Sequence, residues 1–290
     1  MNPLSETREG FFFPQTLVIP SYLHLVKNPI GIFDSGVGGL TVAKAIRELL
    51  PAEDIIYFGD TAHLPYGEKS SEAIKSYSLG IAEFLVASGA KAIVIACNSA
   101  SSVATDVLKE KYEPKIPIIN VIDPVVDAIP ENTNTIGVIG TRATITSNVY
   151  QEKITGKSAT LDIRAMATPL FVPVIEEGLE SSEIARKTAE HYLGLESMKG
   201  IDTLIPGCTH YPLLTQLFRD ILGADVQLMN TPVIVAEYAH HVLQEANLLN
   251  AEESLGTSKF FVSDYTPTFE RISRHFFHDS IHLEEYELWK

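Results

Sequence analysis

Short, uninterrupted apolar runs alternate along the chain with stretches in which apolar residues recur every three or four positions. In the first half the runs Pro29 to Phe33, Asp54 to Phe58, Ala90 to Ala96 and Ile116 to Asn120 read as strands. Helical spacing over Gly39 to Leu50, Ser71 to Gly89 and Ser99 to Tyr112 separates them. Strands that are apolar throughout, with amphipathic helices between them, predict a parallel sheet covered on both faces, hence an α/β fold.

The second half repeats this order. Strands are expected at Thr135 to Gly140, Leu161 to Ala167 and Ile201 to Pro206, with helices over Ala143 to Ile154, Ser181 to Leu195 and the segment after Cys208. A later helix over Val233 to Leu249 and a strand over Ser258 to Asp264 are expected to return to the first half. Prolines after strands, Pro124 and Pro232, mark the crossings. The chain therefore reads as two similar, doubly wound α/β domains, residues 29–123 plus 233–290 and residues 124–232, preceded by an extension over residues 1–28. A ligand belongs in the cleft between them, outside the carboxyl ends of the strands.

Composition narrows the partners. Of 290 residues, 45% are hydrophobic and 20% charged, which is ordinary for a folded globular protein. The formal net charge of −15 repels polyanions and argues against nucleic acid. No apolar run is long enough for a membrane span. The run Gly10 to Val26 is broken by Pro14, Pro20 and His24 and lacks a small-residue cleavage site, so it reads as an extension and not as a secretory leader. Two cysteines cannot build a disulfide framework and fit a reducing cytoplasm.

Those two cysteines carry the most chemistry. Cys97 in ACNSAS and Cys208 in GCTHYPLL each follow a strand, precede a helix and stand beside hydrogen-bonding residues, Asn98 and Ser99 in one case, Thr209 and His210 in the other. A lone cysteine after a buried strand is ordinarily a small core residue; two at equivalent points weaken that reading. Helix N–H groups near the sulfurs are expected to lower their pKa. The chain lacks CxxC and HExxH, so a zinc site does not fit. A papain-like Cys208/His210 pair would leave Cys97 idle, and a Cys97–Cys208 disulfide would suit a reducing compartment poorly. The adjacent His240 and His241 read as surface or packing residues.

Two further stretches stand at strand ends. FDSGVGGLTV lacks the third glycine of a dinucleotide fingerprint, because Thr41 occupies its place, and lacks the lysine of a P-loop. Its glycines instead suit close approach to a small ligand, with backbone N–H groups offered to an anion. Asp34 there is equally a helix cap or a working acid. Pro65-Tyr66-Gly67 predicts a tight turn with a projecting phenol, or simply a packed tyrosine.

In this order, DSGVGG, GDTAHLPYGEKS, ACNSAS and GCTHYPLL closely resemble the cofactor-independent glutamate racemases of the aspartate/glutamate racemase superfamily. TRATITSNVY and ATPLFVPVIEEG look like further family segments, while Ser99 stands where the family often has threonine. The resemblance implies two-base racemisation without a cofactor or metal. Cys97, assisted by Asp34, would act on D-glutamate; Cys208, assisted by His210, would act on the L-enantiomer. It further implies that Ser35, Pro65, Tyr66, Gly67, Asn98, Ser99 and Thr209 hold the substrate with Glu176, beside which Glu177 competes for the same role. Thr141, Thr144 and Ser147 would contribute to substrate or structure. A cytoplasmic homodimer supplying D-glutamate for peptidoglycan is the implied setting. The alternatives are a racemase for aspartate or another acidic amino acid, or a non-catalytic binding protein on the same fold.

Overall fold

The structure, a computed structural model, describes residues 26–277 and 282–289. The expected extension lies outside the described residues up to residue 25.

Every strand pairing is parallel. The first sheet contains β1 (Ile30–Asp34), β2 (Ile55–Gly59), β3 (Ala92–Ile95), β4 (Ile118–Asn120), β9 (Ser258–Val262) and β10 (Leu283–Glu285), in the order β10-β9-β2-β1-β3-β4. The second contains β5 (Thr135–Gly140), β6 (Asp162–Ala167), β7 (Thr203–Gly207) and β8 (Gln227–Leu228), ordered β6-β5-β7-β8. This is the α/β class expected of runs such as β1, β2 and β3, which are buried at every position because helices cover both faces.

The chain crosses from the first sheet to the second once, through α4 (Asp123–Asp127), and returns through α10 (Thr231–Glu245). Helix α10 packs on α1 (Leu40–Leu49) and on α4. One hydrophobic cluster therefore runs through both sheets: Ile32 and Val94 of the first, Val138 and Ile205 of the second, and Val235 and Ala239 of α10. Two separate clusters lie on the far faces, one under α2 (Ser71–Ala87) and α3 (Asn98–Tyr112), the other under α7 (Phe171–Glu176), α8 (Glu183–Leu193) and α9 (Thr215–Leu222). The two sheets are thus tied together along the side that carries α1 and α10.

One element departs from expectation. The single helix predicted over Ala143 to Ile154 is two, α5 (Arg142–Thr146) and α6 (Val149–Lys157), because Asn148 adopts φ 58° between them. Asparagine tolerates this left-handed conformation better than most residues do. The break turns α6 so that its buried Tyr150 reaches across to α3.

Candidate active site

Both cysteines stand where their sheets end, and they line one cavity. Cys97 caps the start of α3, two residues beyond β3. Cys208 directly follows β7, but a single turn over Tyr211–Leu214 comes before α9, which begins only at Thr215. Helix N–H groups therefore reach the first sulfur and not the second. Ser35, Asn98 and Ser99 line the cavity beside Cys97, while Thr209, His210 and Glu176 line it beside Cys208. The Pro65–Gly67 turn, Thr141, Leu64 and Val172 complete the wall. The enclosed volume is about 20 Å³, room for a single water molecule.

Each thiol has its own partners. The Cys97 Sγ–H points to Ser35 Oγ at 3.8 Å. Burial, then the Asp34 carboxylate, raise the Cys97 pKa to about 12, against the lowering effect of the Ala100 N–H and Ser35. The depressed pKa expected from helix amides is thus corrected for Cys97: desolvation and a nearby like charge outweigh one helix turn.

On the other side, Cys208 Sγ lies 3.8 Å from His210 Nδ1, and His210 Nε2 lies 3.2 Å from Glu176 Oε1. Burial alone would lower the His210 pKa. The hydrogen bonds and charge interactions with Cys208 and Glu176 outweigh it and lift the imidazole to about 10. Glu177 is exposed on the outside of the same turn, so Glu176 is the acid that faces the cavity.

Asp34 does not line the cavity; it sits fully buried beneath it. Its Oδ2 accepts the Gly36 N–H at 2.9 Å and its Oδ1 accepts the Thr209 hydroxyl at 3.4 Å. It is no helix cap, since α1 starts after Gly39 without a side-chain cap. Of the two readings of Tyr66, the packed one holds: its phenol donates to Asp60 Oδ2 at 2.6 Å, and burial and then Asp60 hold its pKa well above the usual tyrosine value. Asp60 also accepts from Ser263 and from Trp289 Nε1, each at 2.7 Å. Asn98 is fixed by the Tyr150 hydroxyl at 2.8 Å. Tyr150 and Trp289 had no local signal in sequence, because their partners Asn98 and Asp60 lie far along the chain.

A Cβ at Gly38 would stand 2.5 Å from His210 Nδ1 and from Thr209 Oγ1, and one at Gly67 would stand 2.7 Å from Thr141 Cβ. At these two positions the missing side chain lets the two halves pack closely against each other. Across the same seam Thr41 Oγ1 donates to Thr209 O at 3.1 Å, and Ser99 and Thr141 share a hydroxyl bond of 2.9 Å. Thr141 also caps α5. Thr144 is buried behind it, and Ser147 bonds locally to Thr144 O, outside the cavity wall. Gly38→Ala is expected to leave the fold cooperative but to lower turnover at least tenfold, by pushing Thr209 and His210 away from Cys208. Steady-state kinetics beside a thermal melt checks this, and unchanged turnover would disprove the packing role.

Among the described residues no cluster of His, Cys, Asp and Glu side chains could hold a metal, and no helix is long and apolar enough to cross a membrane. Two strand-end thiols, Cys97 with Asp34 near it and Cys208 beside His210 and Glu176, thus line one small cavity at the carboxyl ends of the parallel strands of an α/β protein. The chain belongs to the Asp/Glu/Hydantoin racemase family, whose model matches residues 30–239. It is 43% identical over 249 residues to a glutamate racemase of Geobacter metallireducens, covering 85% of this chain and 92% of that one. To a glutamate racemase of Persephonella marina it is 44% identical over 264 residues, 90% and 98% of the two chains. Among solved structures, glutamate racemase from Francisella tularensis, in complex with D-glutamate, superposes with a TM-score of 0.85 at 38% identity, over 91% of this chain and 99% of that one.

Proposed function

We propose that this protein interconverts L- and D-glutamate by exchanging the α-proton between two thiols on opposite faces of the substrate. The observation that carries the reading is that Cys97 and Cys208 reach one cavity from the ends of different sheets. Inverting a stereocentre requires a base on one face and an acid on the other, and two facing strand ends supply that arrangement. Relatives named glutamate racemase, at 43% and 44% identity, support the substrate.

In this reading Cys97 removes the α-proton of D-glutamate while Cys208 delivers one to the opposite face; the roles reverse for the L-enantiomer. A thiol whose pKa burial has pushed to about 12 is a poor base until a positive charge arrives. The substrate's α-ammonium supplies that charge beside Cys97 and Asp34. On the second side a protonated His210, held by Glu176, stabilises the Cys208 thiolate. The hydroxyls of Ser35, Ser99 and Thr209 stabilise charge that develops on the α-carboxylate as the proton leaves.

A cavity of about 20 Å³ cannot hold an amino acid. The proposed domains, residues 29–123 plus 233–290 and residues 124–232, act as jaws that part to admit substrate. The remaining proposals are a cytoplasmic homodimer and the supply of D-glutamate for peptidoglycan.

The test is to follow purified protein with either enantiomer of glutamate and no added cofactor by circular dichroism in deuterated water. The signal is expected to decay to zero from both starting points, with solvent deuterium entering the α-carbon. A constant signal rules out racemisation, and faster turnover of aspartate reassigns the substrate.

A further inference from the structure

Helix α7 ends two residues before Gly178, whose φ of 73° suits glycine alone without strain. Gly178 N–H bonds to Ile175 O at 2.9 Å and Leu179 N–H to Val174 O at 2.9 Å, the paired closure of a Schellman turn. Pro173 O accepts the Glu177 N–H at 3.0 Å. The terminal carbonyl of Glu176 takes no part in these bonds, and a helix end leaves such a group needing a donor.

That donor comes from the other sheet. Arg271 Nη2 donates to Glu176 O at 2.6 Å, and its guanidinium lies over Gly178, where a Cβ would meet Nη1 at 2.6 Å. Arg271 is carried by α11 (Pro267–Phe277), which packs on α1, and its buried Phe269 closes on Gly59 of β2 in the first sheet. The guanidinium thus bridges from a helix packed against the first sheet to the end of α7 beside the second. Its far end holds the residue whose carboxylate grips His210, and His210 faces Cys208.

We infer that Arg271 is a positioning residue for the reaction: by capping Glu176 from the opposite jaw, it sets the Glu176–His210–Cys208 chain only when the cleft is closed. The acid–base unit on the Cys208 side is then assembled by closure and relaxes when the jaws part to exchange substrate. A cation at a helix C-terminus also suits the local dipole, so the closed arrangement is the favoured one. This inference rests on the two-thiol reading of the site.

The experiment is a double-mutant cycle in the full chain, with Arg271→Met, which keeps the aliphatic stem and removes the donors, made in the wild-type and in the Glu176→Gln backgrounds. Arg271→Met is expected to lower kcat about tenfold with KM changed less than threefold, and to change kcat less than twofold when Glu176 is already Gln. Arg271→Lys, which restores one donor, is expected to recover a large part of the loss. Wild-type kcat in Arg271→Met, or an equal fold-loss in both backgrounds, overturns the proposal. Where Glu176→Gln leaves too little turnover to measure, the NMR resonance of the His210 Nε2–H decides: its loss in Arg271→Met supports the proposal and its retention overturns it. A wild-type protein that fails to racemise glutamate would instead remove the reading on which the inference stands.

Discussion

Cys97→Ser and Cys208→Ser are each expected to lower racemisation of glutamate at least about a thousandfold, at the upper part of the range for loss of a positioned acid or base. Serine keeps the size and the hydrogen-bonding pattern, so both variants are expected to fold and to melt near the wild-type temperature. What it lacks is an S–H, which gives up its proton far more readily than an alcohol O–H does. Each thiol works in both directions, once as base and once as acid, so neither variant retains a one-way reaction. Because the two enantiomers are equal in energy, kcat/KM must fall by the same factor for both; a one-sided fall would show that the assay had not reached the racemising step. The check is initial rates from both enantiomers beside a thermal melt. Wild-type turnover in either variant would refute the two-thiol mechanism.

The second large effect is on stability. Lys91 and Glu53 form an ion pair at 2.5 Å, both almost completely buried, at the end of the first sheet away from the cavity. Burial lowers the lysine's pKa, and the bond and charge of Glu53 oppose that fall. The ammonium also donates to Val26 O at 2.6 Å, while the other oxygen of Glu53 accepts the Asn250 N–H at 2.8 Å. The pair therefore joins four separate stretches of chain, around Val26, Glu53, Lys91 and Asn250. Lys91→Met strands a buried carboxylate, and its expected cost is about 3–5 kcal/mol in urea unfolding. Adding Glu53→Gln should recover about half of it, since glutamine removes the unpaired charge yet still accepts from Asn250. A single variant within about 0.5 kcal/mol of wild type would show that water enters the site and screens the charge.

Much of this architecture was legible in sequence because its causes are local. A strand such as Ile30 to Phe33 announces burial on both faces by having no polar alternation, and Cys97 and Cys208 stand out as the two points where such strands give way to small polar residues. His210 and Glu176 fell within recognisable segments. What was not legible depends on conformation and contacts that a pattern does not carry: Asn148 breaks a helix by one left-handed backbone angle, and Gly38 of DSGVGG packs against Thr209 and His210 of the other half. The Cys97 pKa went the opposite way because helix amides are visible in a sequence and the extent of desolvation is not. Arg271 gave no sign at all, since its partner is a backbone carbonyl.

The chain's one tryptophan sits at its penultimate position. Trp289 meets His63 edge-on with ring centroids 4.9 Å apart and donates to the same Asp60 that anchors Tyr66 of the cavity wall. Intrinsic fluorescence is therefore a native optical probe of that wall, free of competing indoles, and ligand titrations can be read without a label.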